Sequence, residues 1–287
     1  MQTINPNSFY PEGPLWHQDR LYYVEYSEHR VMCWDGMQNL PVWHGPDSGP
    51  CALIPASEGG LWVACFQGDR LERIGLDGRS LQRIEPHPED QGFGGPNDFA
   101  SDGEGGLFFT GSGRFDVDAP KTGRIFHRGR DGRLRCLARD IHFSNGIALS
   151  PDRRRLFVNA HLAKEVLVFD RRPDNSLGPA RRFVFLPDLL PEPPFANGYT
   201  GGDGLKIDGA GRLYICQFGA GRILICGPDG RFITAIEVPD RDVTNIAFGP
   251  GETTLFVTAA SDSWTAPYPG AVYRLDNPMA LPPHGRQ

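Results

Sequence analysis

"GGDGLKIDGAGRLYICQF", residues 201–218, sets an acid among glycines, continues as an alternating apolar stretch, and ends on a run of aromatic and β-branched residues. The same frame returns along the chain. Its closing run is matched by "RLYYVEY" at 20–26, "GLWVACF" at 60–66, "GLFFTGS" at 106–112, "RLFVNAH" at 155–161 and "TLFVTAA" at 254–260. Such runs suit strands. Each follows a second apolar segment and a turn, and each leads into a further strand-like segment closed by "WDGM", "LDGR", "RDGR", "PDNS", "PDGR" or "LDNP". Asp-Gly and Asp-Asn tolerate the positive φ of hairpin turns. The chain carries 36 glycines and 26 prolines, and no long stretch keeps a helical apolar period. A unit of about four antiparallel strands, repeated six times with a period in the forties, predicts an all-β, six-bladed β-propeller. One domain over 1–287 is expected, because a blade cannot bury both faces without neighbours.

In a propeller the innermost strands of all blades start at one end of the central channel. Counted back from the leucine of each run, the equivalent positions are Glu12, Cys51, Asn97, Asn145, Asp203 and Thr244, spaced 39 to 58 residues apart. Two carboxylates and two amides would then meet on the axis. Carboxylates crowded into a partly dry channel are costly unless a cation compensates them. An all-oxygen ligand set suits a hard divalent ion, so one metal in the central channel is expected: Ca²⁺ first, Mg²⁺ or Mn²⁺ next, Zn²⁺ less suited without histidine. Flanking glycines would let the backbone bend close to that ion.

Composition excludes other classes. The 287 residues are 39% apolar with a formal charge of −6 and dispersed basic residues, which gives no footprint for nucleic acid or an anionic membrane. "MQTINPNSFYPEG" has no basic n-region or apolar h-region, so a cytoplasmic protein is expected. Cysteines 33, 51, 65, 136, 216 and 226 form no CxxC pair and read as buried thiols, with Cys216 and Cys226 able to face each other across a hairpin. Residues 2–10 are a candidate for the outer strand closing the ring, and the proline-rich "LPDLLPEPPFANGYTGG" for a loop over one face.

Through "EGPLWHQDRLYYVEY", "GGPNDF", "FSNGIALSPDRRRLFV", "GGDGLKIDGAGRLYI" and "VTNIAFGPGETTLFVTAA" the chain resembles the SMP-30/gluconolactonase/luciferin-regenerating-enzyme family over nearly its whole length. The resemblance implies a six-bladed propeller with a channel-bound calcium or other divalent ion, and hydrolysis of lactones. It implies that Glu12, Asn145 and Asp203 are metal ligands, that Asn97 binds metal or substrate, and that Asp203 is the general base. Two positions depart from the pattern. Family members acting on sugar lactones often carry an arginine where this chain has Gly95. Animal members use an acidic residue where an ungapped count reaches Phe115. Both departures point to a pocket less polar than an aldonolactone requires.

Phe93, Phe115 and Phe143 flank ligand-bearing segments and are the favoured substrate contacts. Phe195, Tyr199, Phe218, Trp264 and Tyr268 are further wall candidates. His142 and His161 are candidates for proton transfer or support of the ligands, and Cys51 for an exposed thiol near the ion. Asp203 could activate water, position it or attack directly. The partner expected is a small-molecule lactone. A phosphotriesterase-like hydrolase and a non-catalytic calcium-binding propeller are the alternatives. Oligomeric state has no signal in the sequence.

Overall fold

The computed structural model describes residues 1–87 and 91–280, so the last seven residues of the expected 1–287 domain lie outside the described residues. Six four-stranded antiparallel sheets account for its strands. Blades I to V each run in chain order from an innermost strand: Pro11–His17, Pro50–Pro55, Pro96–Ser101, Ser144–Leu149 and Gly201–Ile207. Blade VI begins at Asp242–Phe248 and takes its outermost strand from the other end of the chain, where Gln2–Phe9 pairs antiparallel with Pro269–Asp276. The ring is therefore closed by hydrogen bonds between the two ends of the sequence.

The aromatic and β-branched runs form the second strand of every blade. Leu61–Cys65, Leu107–Gly111 and Leu213–Phe218 are buried on both faces, which is why they show no alternation, whereas the outer strand Ser80–Ile84 is largely exposed. Six apolar clusters lie between adjacent blades, one at each junction, and Leu21, Tyr23, Phe256 and Val272 fill the last between blades VI and I. The Asp-Gly turns behave as the sequence indicates. Asp77, Asp131 and Asp229 each accept the backbone N–H two residues on, at 3.2, 3.0 and 3.1 Å, while Gly78, Gly132 and Gly230 take positive φ.

No disulfide joins any of the six cysteines. In the blade V hairpin Cys216 opposes Ile223 and Cys226 opposes Leu213, so the two do not face each other. No helix among the described residues is long and apolar enough to cross a membrane.

Candidate functional site

Glu12, Asn97, Asn145 and Asp203, from blades I, III, IV and V, line one cavity of about 540 Å³. A break in strand pairing delivers them there. Against the second strand, the register of the first skips between Pro96 and Phe99, between Ser144 and Ile147, and between Gly202 and Leu205. Asn97, Asn145 and Asp203 each fall in such a bulge, and Glu12 is the last paired residue before one. A bulge bends its strand and re-aims a side chain, here into the channel.

Neighbouring blades pin these bulges. Thr110 of blade III donates its hydroxyl to the Asn145 carbonyl at 2.8 Å, and Asn159 of blade IV donates its amide to the Asp203 carbonyl at 2.5 Å. Thr244 of blade VI donates to the Pro11 carbonyl at 2.7 Å, beside Glu12. Thr244 thus ties two blades together and does not line the cavity. The glycines following Glu12, Asn145 and Asp203 have a packing task. A Cβ on Gly13, Gly146 or Gly204 would lie 2.4 Å from the Cys51 carbonyl oxygen, 2.5 Å from the Asp203 carbonyl oxygen or 2.3 Å from the Asn245 side chain. They let the innermost strand of a neighbouring blade approach.

Glu12 and Asp203 are only 6% and 4% exposed. Burial pushes both carboxyls well above their ordinary range, and the charge of Asp203 adds to the rise at Glu12. A hydrogen bond from Asn145 works against the rise at Asp203. Further along the same strands Lys206 of blade V reaches Asp98 of blade III, with Nζ 2.9 Å from Oδ2, and its charge draws the Glu12 carboxyl back down. The Asn145 Oδ1 is buried with no hydrogen-bond partner among the described residues. Among the described residues no group of three or more His, Cys, Asp or Glu side chains is placed to hold a metal ion. What converges is two carboxylates and two amides. That donor set fits a hard, oxygen-seeking cation, and its unpartnered amide oxygen is a ready ligand.

Aromatic rings wall the cavity. Phe143 stands 4.7 Å from Phe115 and 6.3 Å from Phe66, centroid to centroid, and Phe66 stands 6.2 Å from Tyr26. At the mouth Phe115 meets Trp264 at 6.2 Å and Tyr199 at 5.1 Å. Tyr199 belongs to the proline-rich insertion, which Arg222 ties down by donating to the Leu190 and Pro191 carbonyls at 3.2 and 2.9 Å.

Residues 10–261 match the family model described as "SMP-30/Gluconolactonase/LRE-like region". The chain belongs to this family. Among its relatives, Pentonolactonase XacC of Haloferax volcanii is 28% identical, over 92% of this chain and 90% of that protein. The Gluconolactonase of Zymomonas mobilis is 25% identical, over 91% and 79%. A solved structure of a luciferin-regenerating enzyme shares the fold with a TM-score of 0.78 at 22% identity, covering 94% of this chain and 92% of that one.

In this member of the SMP-30/gluconolactonase family the wall differs in part from the sequence expectation. Phe115, Phe143, Phe218, Trp264 and Tyr268 line the cavity. Phe93 does not: it is buried between blades II and III, edge-on to Phe109 and Phe126 at 5.3 and 5.5 Å, because the loop carrying it folds back onto the inter-blade core. Phe195 is exposed beneath the Arg241 guanidinium, away from the cavity. His161 lines the cavity, whereas His142 lies off it and donates Nε2–H to the Asp116 carbonyl at 3.3 Å. Cys51 lines the cavity but is buried, and burial with the nearby carboxylates raises its thiol pKa well above the ordinary value, so it is not an exposed reactive thiol.

Sequence reasoning missed Tyr26 and Phe66, although the signal was present. Both end a strand-two run, as do His161 and Phe218, and all four line the cavity. Antiparallel pairing makes the second strand finish where the first begins, at the ligand end of the channel. Asp98 and Lys206 were also missed. Asp98 directly follows Asn97, and Lys206 stands three residues past Asp203.

Proposed function

We propose that the chain is a divalent-metal-dependent hydrolase that opens a lactone ring less polar than an aldonolactone. Glu12, Asn97, Asn145 and Asp203 would hold one ion, calcium by preference and magnesium or manganese in its place. The observation that carries this reading is the meeting, in one cavity, of two buried carboxylates and the unpartnered Asn145 oxygen. Family membership and the pentonolactonase and gluconolactonase names of its relatives support lactone chemistry.

When bound, the ion supplies Lewis acidity at the lactone carbonyl oxygen, worth several kcal/mol as negative charge develops there. Asp203 holds the attacking water and takes its proton as the new C–O bond forms at the carbonyl carbon. That proton passes to the ring oxygen as the ring C–O bond breaks, leaving a hydroxy acid. Asn145 restrains the Asp203 carboxylate by its hydrogen bond. Asn97 has a polar amide in the same cavity and can hold the substrate oxygen or the ion. The surrounding rings exclude bulk water.

Turnover of sugar, aliphatic and aromatic lactones and of phosphotriesters, before and after chelation, tests the reading. Lactones should be opened only with a divalent ion present, and Asp203→Asn should remain folded with turnover lower by a factor of ~10³. Undiminished turnover by that variant would remove Asp203 from its role. Preference for phosphotriesters would favour that class of hydrolase, and binding of calcium without any turnover would favour a non-catalytic propeller.

A further inference from the structure

Seven of the cavity's rings form a continuous belt. Tyr268 stands 6.3 Å from Tyr10, Tyr10 stands 5.5 Å from Tyr26, and Tyr26 leads to Phe66 at 6.2 Å. Phe143 and Phe115 carry the contact onward to Trp264, at steps of 6.3, 4.7 and 6.2 Å. Trp264 and Tyr268, at the two ends of the series, belong to one loop four residues apart. Every member of this belt lines the cavity.

Phe66 is fixed in the belt by what lies behind it. Gly95 has φ +77°, and a Cβ there would come within 2.8 Å of two Phe66 ring carbons. No larger residue fits at 95 while the ring keeps this place. Glu12 and Asp203 are the cavity's carboxylates, and among the described residues no lysine or arginine lines it. Ser27, His29, Gln67 and Asn97 also line the cavity, and a polyol hydroxyl that faces the belt instead of one of these polar groups carries its full desolvation penalty. A flat apolar body would meet ring faces and edges along the belt.

We propose that the belt selects a lactone fused to, or bearing, an aryl ring, with Phe66 seated on Gly95 as its specificity-determining contact. The proposal rests on the lactone-hydrolase reading for the identity of the reacting group, but the binding preference is separable from turnover. Lactams keep the ring and carbonyl of a lactone and resist opening. Calorimetric titration of the whole chain with 3,4-dihydroquinolin-2-one, an aryl-fused lactam, and with gluconolactam, a polyol, compares the two classes directly.

The aryl lactam should bind at least roughly tenfold more tightly, and Phe66→Leu, which keeps bulk but loses the ring, should weaken it roughly fivefold while leaving gluconolactam unchanged. Unfolding of the variant is monitored in parallel by its melting temperature. Equal affinities, a preference for gluconolactam, or binding of neither by the unaltered protein overturns the proposal. If the aryl lactam binds as expected but no lactone is opened, the belt's preference stands and the hydrolase reading falls. If sugar lactones are opened and gluconolactam binds more tightly, the hydrolase reading stands and the aryl preference falls.

Discussion

His161 is a histidine kept almost dry, 2% exposed, with its Nε2–H donated to the Tyr199 carbonyl at 2.9 Å. Burial pushes its pKa from 6.5 down to about 4, against hydrogen bonds to the backbone of Tyr199 and Gly202. Because the folded value is depressed, the unfolded chain takes up the proton first. The ring is neutral in both states above about pH 6.5, and stability is lost as the pH falls from there toward about 4, by up to ~3 kcal/mol. Urea unfolding at pH 7 and pH 4.5 should show a smaller difference for His161→Gln than for the unaltered chain. An undiminished difference would assign the acid sensitivity to other groups. At this scale the axial residues were legible, because a repeat puts equivalent positions in register and Glu12, Asn97, Asn145 and Asp203 are chemically distinctive. The misplacement of Phe93 has the opposite cause: an aromatic beside a ligand segment looks the same whether its loop turns inward to the axis or back between blades.

The strand carrying a proposed ligand is shaped by what passes behind it. Gly146 lies against blade V, where an added Cβ would be 2.3 Å from the Leu205 amide nitrogen and 2.5 Å from the Asp203 carbonyl oxygen. Gly146→Ala should therefore spread blades IV and V and cost about 2 kcal/mol, the range of overpacking at a site that cannot yield. Since the strand being pushed carries Asp203, turnover should fall more than stability alone explains. Chemical denaturation alongside steady-state rates checks this, and a variant as stable and active as the parent would contradict the close approach. Strand identity, blade count and the Asp-Gly turns were readable from local pattern, since each depends on a few adjacent residues. The bulges were not, because a bulge exists only relative to the partner strand and leaves no extra residue type at Asn97, Asn145 or Asp203.

Closure of the ring belongs to the whole molecule. Gln2–Phe9 completes blade VI, and Ser8 donates its hydroxyl to the buried Glu25 carboxylate of blade I at 2.5 Å, so this strand is tied to two blades. Removing residues 2–9 would expose the edge of Pro269–Asp276 and strip one side of the VI–I junction. The shortened chain should melt at least ~10 °C lower and aggregate on heating, as followed by circular dichroism and light scattering; unchanged melting would mean that the ring does not depend on this closure. The ring was legible because its repeats are regular. The aromatic belt was not, since its members come from loops and strand ends of separate blades and only closure brings them together.

Closure also brings Glu12 from blade I and Asp203 from blade V into one cavity with Asn97 and Asn145, and the proposed cation site rests on that arrangement. Equilibrium dialysis of the full chain against calcium, with the bound metal quantified by mass spectrometry, measures that site without reference to any substrate. The account requires one ion per chain, with binding weakened by a factor of ~100 or more in Glu12→Gln while the fold is retained. A chain that takes up no stoichiometric calcium, magnesium or manganese, or a Glu12→Gln variant that binds as tightly as the parent, would contradict it.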